Sequence, residues 1–305
     1  RLLELAERYD HVRRRFRDRR PVLALRLADP PVHSLGHGLA QGEDVGAHGR
    51  AGLSADMVQG DQFPCLSDNY GFLVHEPESD ATATIDTPDA DEILRQAEAK
   101  GWRITDIWNT HWHPDHAGGN AAIKAKTGAR VTGPAEVERI GQAPDRIVAE
   151  GDTVELGGAT ARVLDVGGHT LGHIAYVVDA DAVAFVGDAL FALGCGRLFE
   201  GTPQQMWASL QKIAALPEDF TLYCAHEYTQ ANARFALSVD GENSALRTRA
   251  AEIERLRAAG KPTVPMKLRQ EKATNPFLRA PQIVPNVAAW EAFADLRKRK
   301  DNFKG

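Results

Sequence analysis

The chain contains little cysteine and no long hydrophobic run. Its 305 residues include three cysteines, Cys65, Cys195 and Cys224, which lie far apart and form no C-x-x-C pair. This spacing argues against a disulfide framework and against a thiolate zinc knuckle, and it fits a reducing cytoplasm, where we expect the protein to act. No apolar stretch approaches the roughly 20 residues that cross a bilayer, so we expect no membrane span.

The chain also has fewer basic residues than acidic ones. The formal net charge is -6, because 42 acidic residues oppose 36 lysines and arginines. A general nucleic-acid binder uses a surplus of basic side chains to neutralise phosphates, so we expect no nucleic-acid partner. The composition is that of an ordinary globular protein, and we expect a monomer that acts on a small molecule.

Residues 1–56 differ from the rest of the chain. An arginine-rich segment with helical spacing is followed by a glycine-rich stretch without periodicity. We interpret residues 1–56 as a disordered or non-native extension and place the natural start at Met57, the first methionine. An organelle transit peptide is the rival interpretation, which Glu4, Glu7 and Asp10 weaken because such peptides are poor in acids.

Residues 57–230 alternate short apolar runs with turn signals. The runs "YGFLVHE", "TATIDT", "ITDIWNT", "ATARVLDV", "IAYVVD", "AVAFVGD" and "FTLYCAH" predict strands, whereas "DADEILRQAEAKG" and "GGNAAIKAKTG" predict helices. Residues 231–305 change to helical patterns, ending in a helix predicted from about Asn286 to Lys300. The sequence therefore predicts an α+β protein with a sheet-rich domain at 57–230 and a helical domain at 231–305.

The segment "NTHWHPDHAGGN", residues 109–120, concentrates strong metal ligands. In an extended segment the side chains at i and i+2 share a face, so His111 and His113 can bind one ion. Asp115 and His116 follow a turn at Pro114 and can point to a second position nearby. This loop therefore predicts a site for two metal ions.

Three further ligands stand at the ends of predicted strands. His169 follows "VLDVGG", Asp188 follows "AFVG" and His226 follows "LYCA". Loops at strand ends are where rigid scaffolds carry binding and catalytic groups. Their occurrence together with the histidine loop favours a dinuclear centre.

These motifs, in this order and spacing, resemble the metallo-β-lactamase superfamily and, more narrowly, its glyoxalase II (hydroxyacylglutathione hydrolase) family. The segments are "THWHPDHAGG", "GHTLGH", "VGDALF" and "HEYT", supported by "DQFPCLSDNYGFLV", "GCGRLFEGTPQQMW" and "EKATNPFLR". The resemblance implies an αββα sandwich followed by a helical domain. It also implies that His111, His113 and His169 bind one ion, that Asp115, His116 and His226 bind the other, and that Asp188 bridges them. His173 completes the family pattern without binding metal, and we interpret it as a core histidine.

The resemblance further implies hydrolysis of S-(2-hydroxyacyl)glutathione, typically S-D-lactoylglutathione, to glutathione and D-lactate during methylglyoxal detoxification. Two divalent ions, zinc first with iron or manganese as alternatives, would make a shared water acidic enough to attack the thioester. No catalytic residue beyond the metal ligands is required. Cys195 is therefore interpreted as a small packing residue and not as a nucleophile.

The substrate contacts rest on the same resemblance. Arg297 and Lys300 lie three apart on one helical face, and the family places such residues against the glycine carboxylate of glutathione. Arg197, Phe199 and Tyr228 are the other expected contacts. Phe199 stands where familiar animal relatives have tyrosine, so it forgoes a hydrogen bond worth roughly 0.5 to 1.5 kcal/mol.

Other functions remain open at this point. The nearest is a glutathione persulfide dioxygenase with a single iron on the same fold, against which the helical tail and "HEYT" weigh. A β-lactamase, a nuclease and a non-catalytic metal or glutathione binder are less favoured. The acidic balance opposes the nuclease, and the complete ligand set opposes the inactive binder.

Overall fold

Two six-stranded β-sheets face each other in the computed structural model, which describes residues 58–305. The interpretation of residues 1–56 as an extension, with Met57 as the natural start, lies outside the described residues. No helix in the described part of the chain is both long and apolar enough to traverse a bilayer.

The first sheet follows the order of the chain. Its first three strands are antiparallel, and the others continue in parallel because helices connect them. The strands are β1 (Gln59–Cys65), β2 (Asn69–Glu76), β3 (Ala81–Ile85), β4 (Ile104–Trp108), β5 (Arg130–Gly133) and β6 (Arg146–Ile147).

The second sheet has the spatial order β14, β13, β10, β9, β8, β7. Only β10 and β13 pair in parallel. Its strands are β7 (Thr153–Leu156), β8 (Ala159–Asp165), β9 (Ile174–Val178), β10 (Val183–Gly187), β13 (Thr221–Cys224) and β14 (Met266–Lys267). The short hairpin β11 (Leu190–Phe191) and β12 (Gly194–Cys195) stands apart from both sheets.

Nine α-helices lie in the described residues, and local signals set several of their ends. Asp89 caps the first helix by accepting a hydrogen bond from the Glu92 N–H, and Gly101 ends it in the left-handed conformation at φ 70°. The helices are α1 (Ala90–Lys100), α2 (Pro114–Ala117), α3 (Asn120–Thr127), α4 (Pro203–Ala214), α5 (Thr229–Asp240), α6 (Ser244–Ala258), α7 (Leu268–Thr274), α8 (Ala280–Ile283) and α9 (Ala289–Asp301).

The main core lies between the two sheets. Phe72 of the first sheet meets Phe185 and Tyr223 of the second at ring-centroid distances of 5.7 and 5.6 Å. Trp108 meets Tyr176 in the same way at 5.3 Å. Such aromatic contacts bury large apolar areas and fix the spacing of the sheets.

The outer face of each sheet is covered by helices. Leu73 packs in a second cluster with Ile93 of α1 and Ile123 of α3, while its neighbour Phe72 faces the other sheet. On the far side, Trp207 of α4 contacts Phe293 of α9 at 6.3 Å. The layers are therefore helix, sheet, sheet, helix, which confirms the predicted α+β class and αββα sandwich.

The C-terminal helices hold the β11–β12 hairpin through buried polar groups. Glu271 of α7 accepts from the Leu193 N–H at 3.0 Å and pairs with the buried Arg249 of α6. Asn275 donates to the carbonyls of Phe191 and Gly194 at 3.1 and 3.0 Å. Because the hairpin begins two residues after Asp188, these contacts connect the helical region to the end of β10.

Two details differ from the sequence predictions. The last helix begins at Ala289 and not near Asn286, because Asn286 has a φ of 69° and Glu291 caps the helix by accepting from the Ala288 N–H. Helix α4 was not predicted, although Thr202 caps it through the Gln205 N–H and Pro203 occupies its first turn.

Candidate metal centre

The histidine loop leaves the end of β4 and is fixed by one carboxylate. Asp86, at the end of β3, accepts hydrogen bonds from the N–H and the hydroxyl of Thr110 at 2.7 and 2.8 Å. Pro114 then opens the short helix α2, which carries Asp115 and His116. The backbone turn predicted at Pro114 thus separates two pairs of ligands.

The first ligand set consists of His111, His113 and His169. His113 Nδ1 lies 3.0 Å from His111 Nε2 and 3.1 Å from His169 Nε2. His169 reaches this point from the loop after β8, as its position behind a predicted strand indicated. Three imidazole nitrogens therefore converge within the space that one ion needs.

The second ligand set consists of Asp115, His116 and His226. Asp115 Oδ2 lies 3.6 Å from His116 Nε2 and 3.5 Å from His226 Nε2. His226 comes from the loop after β13 and reaches the cluster across the sandwich. This set offers one carboxylate and two imidazoles to a second ion.

Asp188 stands between the two sets. Its Oδ2 lies 3.3 Å from His169 Nε2 of the first ligand set. Its Oδ1 lies 3.4 Å from both His116 Nε2 and His226 Nε2 of the second. One carboxylate thus presents one oxygen to each set, which is the placement that a bridging ligand requires.

Hydrogen bonds on the outer nitrogens set the tautomers of three histidines. His116 Nδ1 donates to Asp86 at 2.9 Å, and His226 Nδ1 donates to Asp68 at 2.8 Å. His169 Nδ1 donates to the Arg197 carbonyl at 2.8 Å. Since each Nδ1 carries the proton, the neutral imidazole directs its Nε2 lone pair inward, as metal ligation requires.

Two buried polar atoms at the centre of the cluster lack hydrogen-bond partners within residues 58–305. Among the described residues, His116 Nε2 and Asp188 Oδ1 have no well-aligned hydrogen-bond partner, although they face each other at 3.4 Å. Buried polar atoms without partners are costly, and cations bound between them would satisfy both. The two donor sets and the shared carboxylate therefore fit a dinuclear metal centre.

The protonation of the cluster differs between the two sets. Burial, followed by the neighbouring imidazoles, lowers the pKa of His113 to about 4, and burial lowers that of His111. Burial opposes the charged form of His226 as well, but the Asp188 carboxylate and the hydrogen bond to Asp68 together outweigh it and raise the pKa of His226 to about 9. Burial would raise the pKa of Asp188, yet the facing imidazoles of His226 and His116 hold it well below the usual range.

Two other groups near the cluster have supporting positions. Asp86 approaches His111 and His116, but its oxygens already accept from Thr110 and from the outer nitrogen of His116. His173 is fully buried, stacks on His111 at 4.6 Å and accepts from the Asp188 N–H at 3.0 Å. This contact is that of a core histidine, as the sequence interpretation has it.

The predicted aromatic contacts lie beside the ligands. Phe199 is 61% exposed and its ring contacts His113 and His169 at 5.7 and 5.2 Å. Tyr228 stacks on His226 at 4.7 Å with an interplanar angle of 4°. One ring thus lies at each ligand set, in position to contact a substrate that enters between them.

The three basic residues predicted to contact the substrate differ in how far their side chains are exposed to solvent. Lys300 and Arg197 are partly or largely exposed, and the Lys300 ammonium donates to the Ala231 carbonyl at 3.0 Å. Arg297 is only 5% exposed, donates to the Cys195 carbonyl at 2.9 Å and pairs with Asp301 at 2.7 Å. Arg197 also approaches Asp301, at 3.8 Å, and both arginines lie close enough to Lys300 to lower its pKa, so the structure brings the three cations together.

Cys195 is buried beneath this basic group. Burial raises the pKa of its thiol to about 11, against the smaller opposite effect of Arg297. A thiol in this state is not a nucleophile near neutral pH, which agrees with its interpretation as a packing residue.

Sequence reasoning missed three residues that bear on the site. Asp68 and Asp86 orient ligands, and the only signal for them was that each is an acid in a turn or at a strand end. Arg234 of α5 is exposed and lies close enough to Lys300 to lower its pKa. Arg234 stands three residues after Ala231, whose carbonyl accepts from Lys300. Only the folded structure shows that this places Arg234 near Lys300.

Comparisons with known proteins agree with this geometry. Residues 77–226 match the model of the metallo-beta-lactamase superfamily, and residues 227–303 match the model named hydroxyacylglutathione hydrolase C-terminus. A hydroxyacylglutathione hydrolase from Erythrobacter litoralis is 59% identical over 253 residues, which cover 81% of this chain and 100% of that protein. The corresponding protein of Hyphomonas neptunium is 56% identical over 254 residues, covering 81% of this chain and 99% of its own.

A solved structure shares the fold at a greater distance. The crystal structure of ETHE1 from Myxococcus xanthus gives a TM-score of 0.58 at 23% identity, covering 79% of this chain and 90% of that one. The identity to the curated relatives is more than twice as high and spans nearly their full lengths. The predicted resemblance is thereby confirmed, and the chain belongs to the hydroxyacylglutathione hydrolase family of the metallo-β-lactamase superfamily.

Proposed function

We propose that the protein hydrolyses the thioester of S-(2-hydroxyacyl)glutathione, typically S-D-lactoylglutathione, to glutathione and D-lactate. It is thus a thioester hydrolase with glyoxalase II activity. The observation that carries the proposal is the match of residues 227–303 to the hydroxyacylglutathione hydrolase C-terminus, because the sandwich alone is shared with other activities. Removal of the reactive aldehyde methylglyoxal is the process in which such a thioester arises.

The ligand roles are part of the proposal. His111, His113 and His169 would hold one ion, Asp115, His116 and His226 the other, and Asp188 would contact both. When bound, two divalent ions polarise the thioester carbonyl and lower the pKa of water, which supplies the nucleophile. We propose zinc, since imidazole and carboxylate groups suit it, with iron and manganese as ions that the same ligands accept.

The chain must also position the substrate, and Phe199 and Tyr228 line the approach to the ligand sets. The leaving group needs little help, because a thiol has a pKa of about 8.5 and departs as thiolate with little protonation. Residues 57–230 would form the catalytic domain and residues 231–305 the substrate-binding domain. Arg197, Arg297 and Lys300 would attract the carboxylates of glutathione.

We also propose that the protein acts as a monomer in the cytoplasm, without nucleic-acid or membrane partners. The three cysteines are free and buried, which suits a reducing compartment. The net charge of -6 disfavours binding to polyanions.

The activity is tested by thiol release from S-D-lactoylglutathione with metal-replete protein. We expect turnover of this thioester, and no oxygen uptake when glutathione persulfide is supplied instead. The iron dioxygenase alternative predicts the reverse pattern. Oxygen uptake without thiol release would overturn the proposal.

The affinity for glutathione thioesters should fall as the pH rises through about 8. Burial, followed by the charges of Arg297, Arg234 and Arg197, lowers the pKa of Lys300 to about 8. The ammonium is charged below this pH and attracts a carboxylate, and it becomes neutral above it. Losing one partly exposed ion pair costs about 1 kcal/mol, so KM should rise about three- to fourfold between pH 7 and pH 9.

Steady-state kinetics across this pH range provide the measurement. Lys300→Arg keeps its charge throughout and should give a flat KM profile. Lys298→Ala, at an exposed position of the same helix, is the matched control and should keep the wild-type profile. If Lys300→Arg shows the same rise as the wild type, Lys300 is not the group responsible.

A further inference from the structure

Glu200 connects two loops that carry the first ligand set. It follows Phe199 in the segment after β12, and its side chain is 18% exposed. Its Oε1 accepts from the indole N–H of Trp112 at 3.1 Å. Its Oε2 accepts from the backbone N–H of Leu171 at 3.1 Å.

Both residues that donate to Glu200 lie close in the chain to ligands of the first set. Trp112 lies between His111 and His113 in the chain, and its ring contacts the His113 imidazole at 4.9 Å. Leu171 lies two residues after His169. A single carboxylate therefore ties the loop that carries two ligands to the loop that carries the third.

Arg139 completes the arrangement from a third segment, the 3₁₀ helix Ala135–Ile140. Its guanidinium lies 3.9 Å from the centre of the Trp112 ring and donates to Glu200 Oε1 at 2.7 Å. A stacked guanidinium that also pairs with a carboxylate restrains both groups. The Trp112 ring is thus held on its face by Arg139 and at its N–H by Glu200.

The rest of the His169 loop is anchored independently. Glu136, in the same 3₁₀ helix as Arg139, accepts from the Thr170 hydroxyl at 2.5 Å and from the Gly172 N–H at 2.7 Å. Glu136 therefore fixes the loop to the 3₁₀ helix, whereas Glu200 fixes it to Trp112. The Ile174 N–H also joins the end of this loop to the Thr110 carbonyl at 2.9 Å, and among these contacts the one through Glu200 reaches the residue between His111 and His113 directly.

We propose that Glu200 is a positioning residue for the first ligand set, holding His113 and His169 in register by joining Trp112 to Leu171. Glu200 touches no ligand atom and is assigned no part in the chemical step. The proposal rests on the dinuclear centre proposed above, but not on the identity of the substrate. It concerns the affinity of one of the two ion positions.

The decisive measurement is the zinc affinity of each position, determined by competition with a chromophoric chelator. Glu200→Gln keeps the size of the side chain but places an amide N–H₂ where a second acceptor is needed. In the His226→Ala background, which retains the complete first ligand set, we expect Glu200→Gln to weaken zinc binding about tenfold, the low end of the range for residues that hydrogen-bond to metal ligands directly. In the His113→Ala background, which retains the second ligand set, the same change should leave the affinity within about twofold.

A second readout reports the hydrogen bond directly. The indole N–H resonance of Trp112, assigned with Trp112→Phe, should move upfield in Glu200→Gln of the zinc-loaded protein as its charged acceptor is lost. Glu138→Gln, at an exposed position of the 3₁₀ helix, is the matched control and should change neither the affinity nor the resonance. Because neither readout uses a substrate, a failure of the thioesterase assay is distinguished from a failure of this proposal.

Two results of the zinc-affinity measurement would overturn the proposal. An unchanged affinity in the His226→Ala background overturns the proposal, and so does an equal loss in both backgrounds, which would show a general effect on folding. If Glu200→Gln does not fold, Trp112→Phe removes one donor and retains the ring. Trp112→Phe should weaken zinc binding in the His226→Ala background only, and an unchanged affinity in that background would also overturn the proposal.

Discussion

Replacing Asp188 with asparagine is expected to reduce thioester hydrolysis by about 10²- to 10⁴-fold, even with saturating metal. Removing one member of a buried charged group costs about 3–5 kcal/mol, which corresponds to this range of rates. Asp188 is 6% exposed and presents one oxygen to His169 and the other to His116 and His226. The amide places an N–H₂ group on one of these sides, so no orientation offers an oxygen to both ligand sets.

The measurement is kcat/KM for S-D-lactoylglutathione at increasing zinc concentration, together with elemental analysis. Asp106→Asn is the matched control, because Asp106 is 8% exposed, pairs with Arg130 at 3.0 Å and stands at β4 outside both ligand sets. It should retain the wild-type rate. An Asp188→Asn enzyme that recovers full activity when zinc is raised would show that no shared carboxylate is needed.

The fold was predictable where local patterns and burial agree. The run "YGFLVHE" predicts a strand, and β2 is buried along its whole length because Phe72 faces one layer and Leu73 the other. Helix α4 has Met206, Leu210 and Ile213 at helical spacing behind the Thr202 cap, and no helix was predicted there although these signals are local. The order of strands in the second sheet could not be predicted, since pairing such as β10 with β13 depends on contacts distant in the chain.

The candidate ligands were predictable because four of them stand in one loop, which gives a strong signal, whereas His169, Asp188 and His226 each carry a weak signal that gains weight from the loop. His111 to His116 share one loop, and Asp188 and His226 follow strands whose ends meet at one edge of the sandwich. Their supporting partners carry no such signal. Asp86 reaches Thr110 across 24 positions of the chain and Asp68 reaches His226 across 158, so their roles emerge only after folding.

The basic tail shows a different limit of sequence reasoning. The spacing of Arg297 and Lys300 indicates a common helical face, and the structure keeps both on α9. The pattern gives no measure of burial, and Arg297 is held by Asp301 four residues later and by the Cys195 carbonyl. Arg297 and Asp301 are four residues apart, a spacing at which opposite charges pair on a helix, whereas no spacing indicates the contact with Cys195.

Removing one histidine from either ligand set should reduce the metal content from two ions to one. We expect His113→Ala to empty the first position and His226→Ala to empty the second, each with a loss in kcat of at least about a hundredfold. A metal ion that polarises a carbonyl supplies several kcal/mol, so either loss removes a major part of the rate enhancement. Elemental analysis and thiol release on the same samples provide the measurement.

The comparison of the two variants decides between one active ion and two. His75→Gln is the matched control, because His75 is 7% exposed and stacks on Trp102 at 4.7 Å outside the ligand sets, and it should retain two ions. If His226→Ala loses one ion but keeps the wild-type rate, the second ligand set does not contribute to hydrolysis. The three inward-facing groups Asp115, His116 and His226 would then serve the stability of the fold, and the dinuclear mechanism would be wrong.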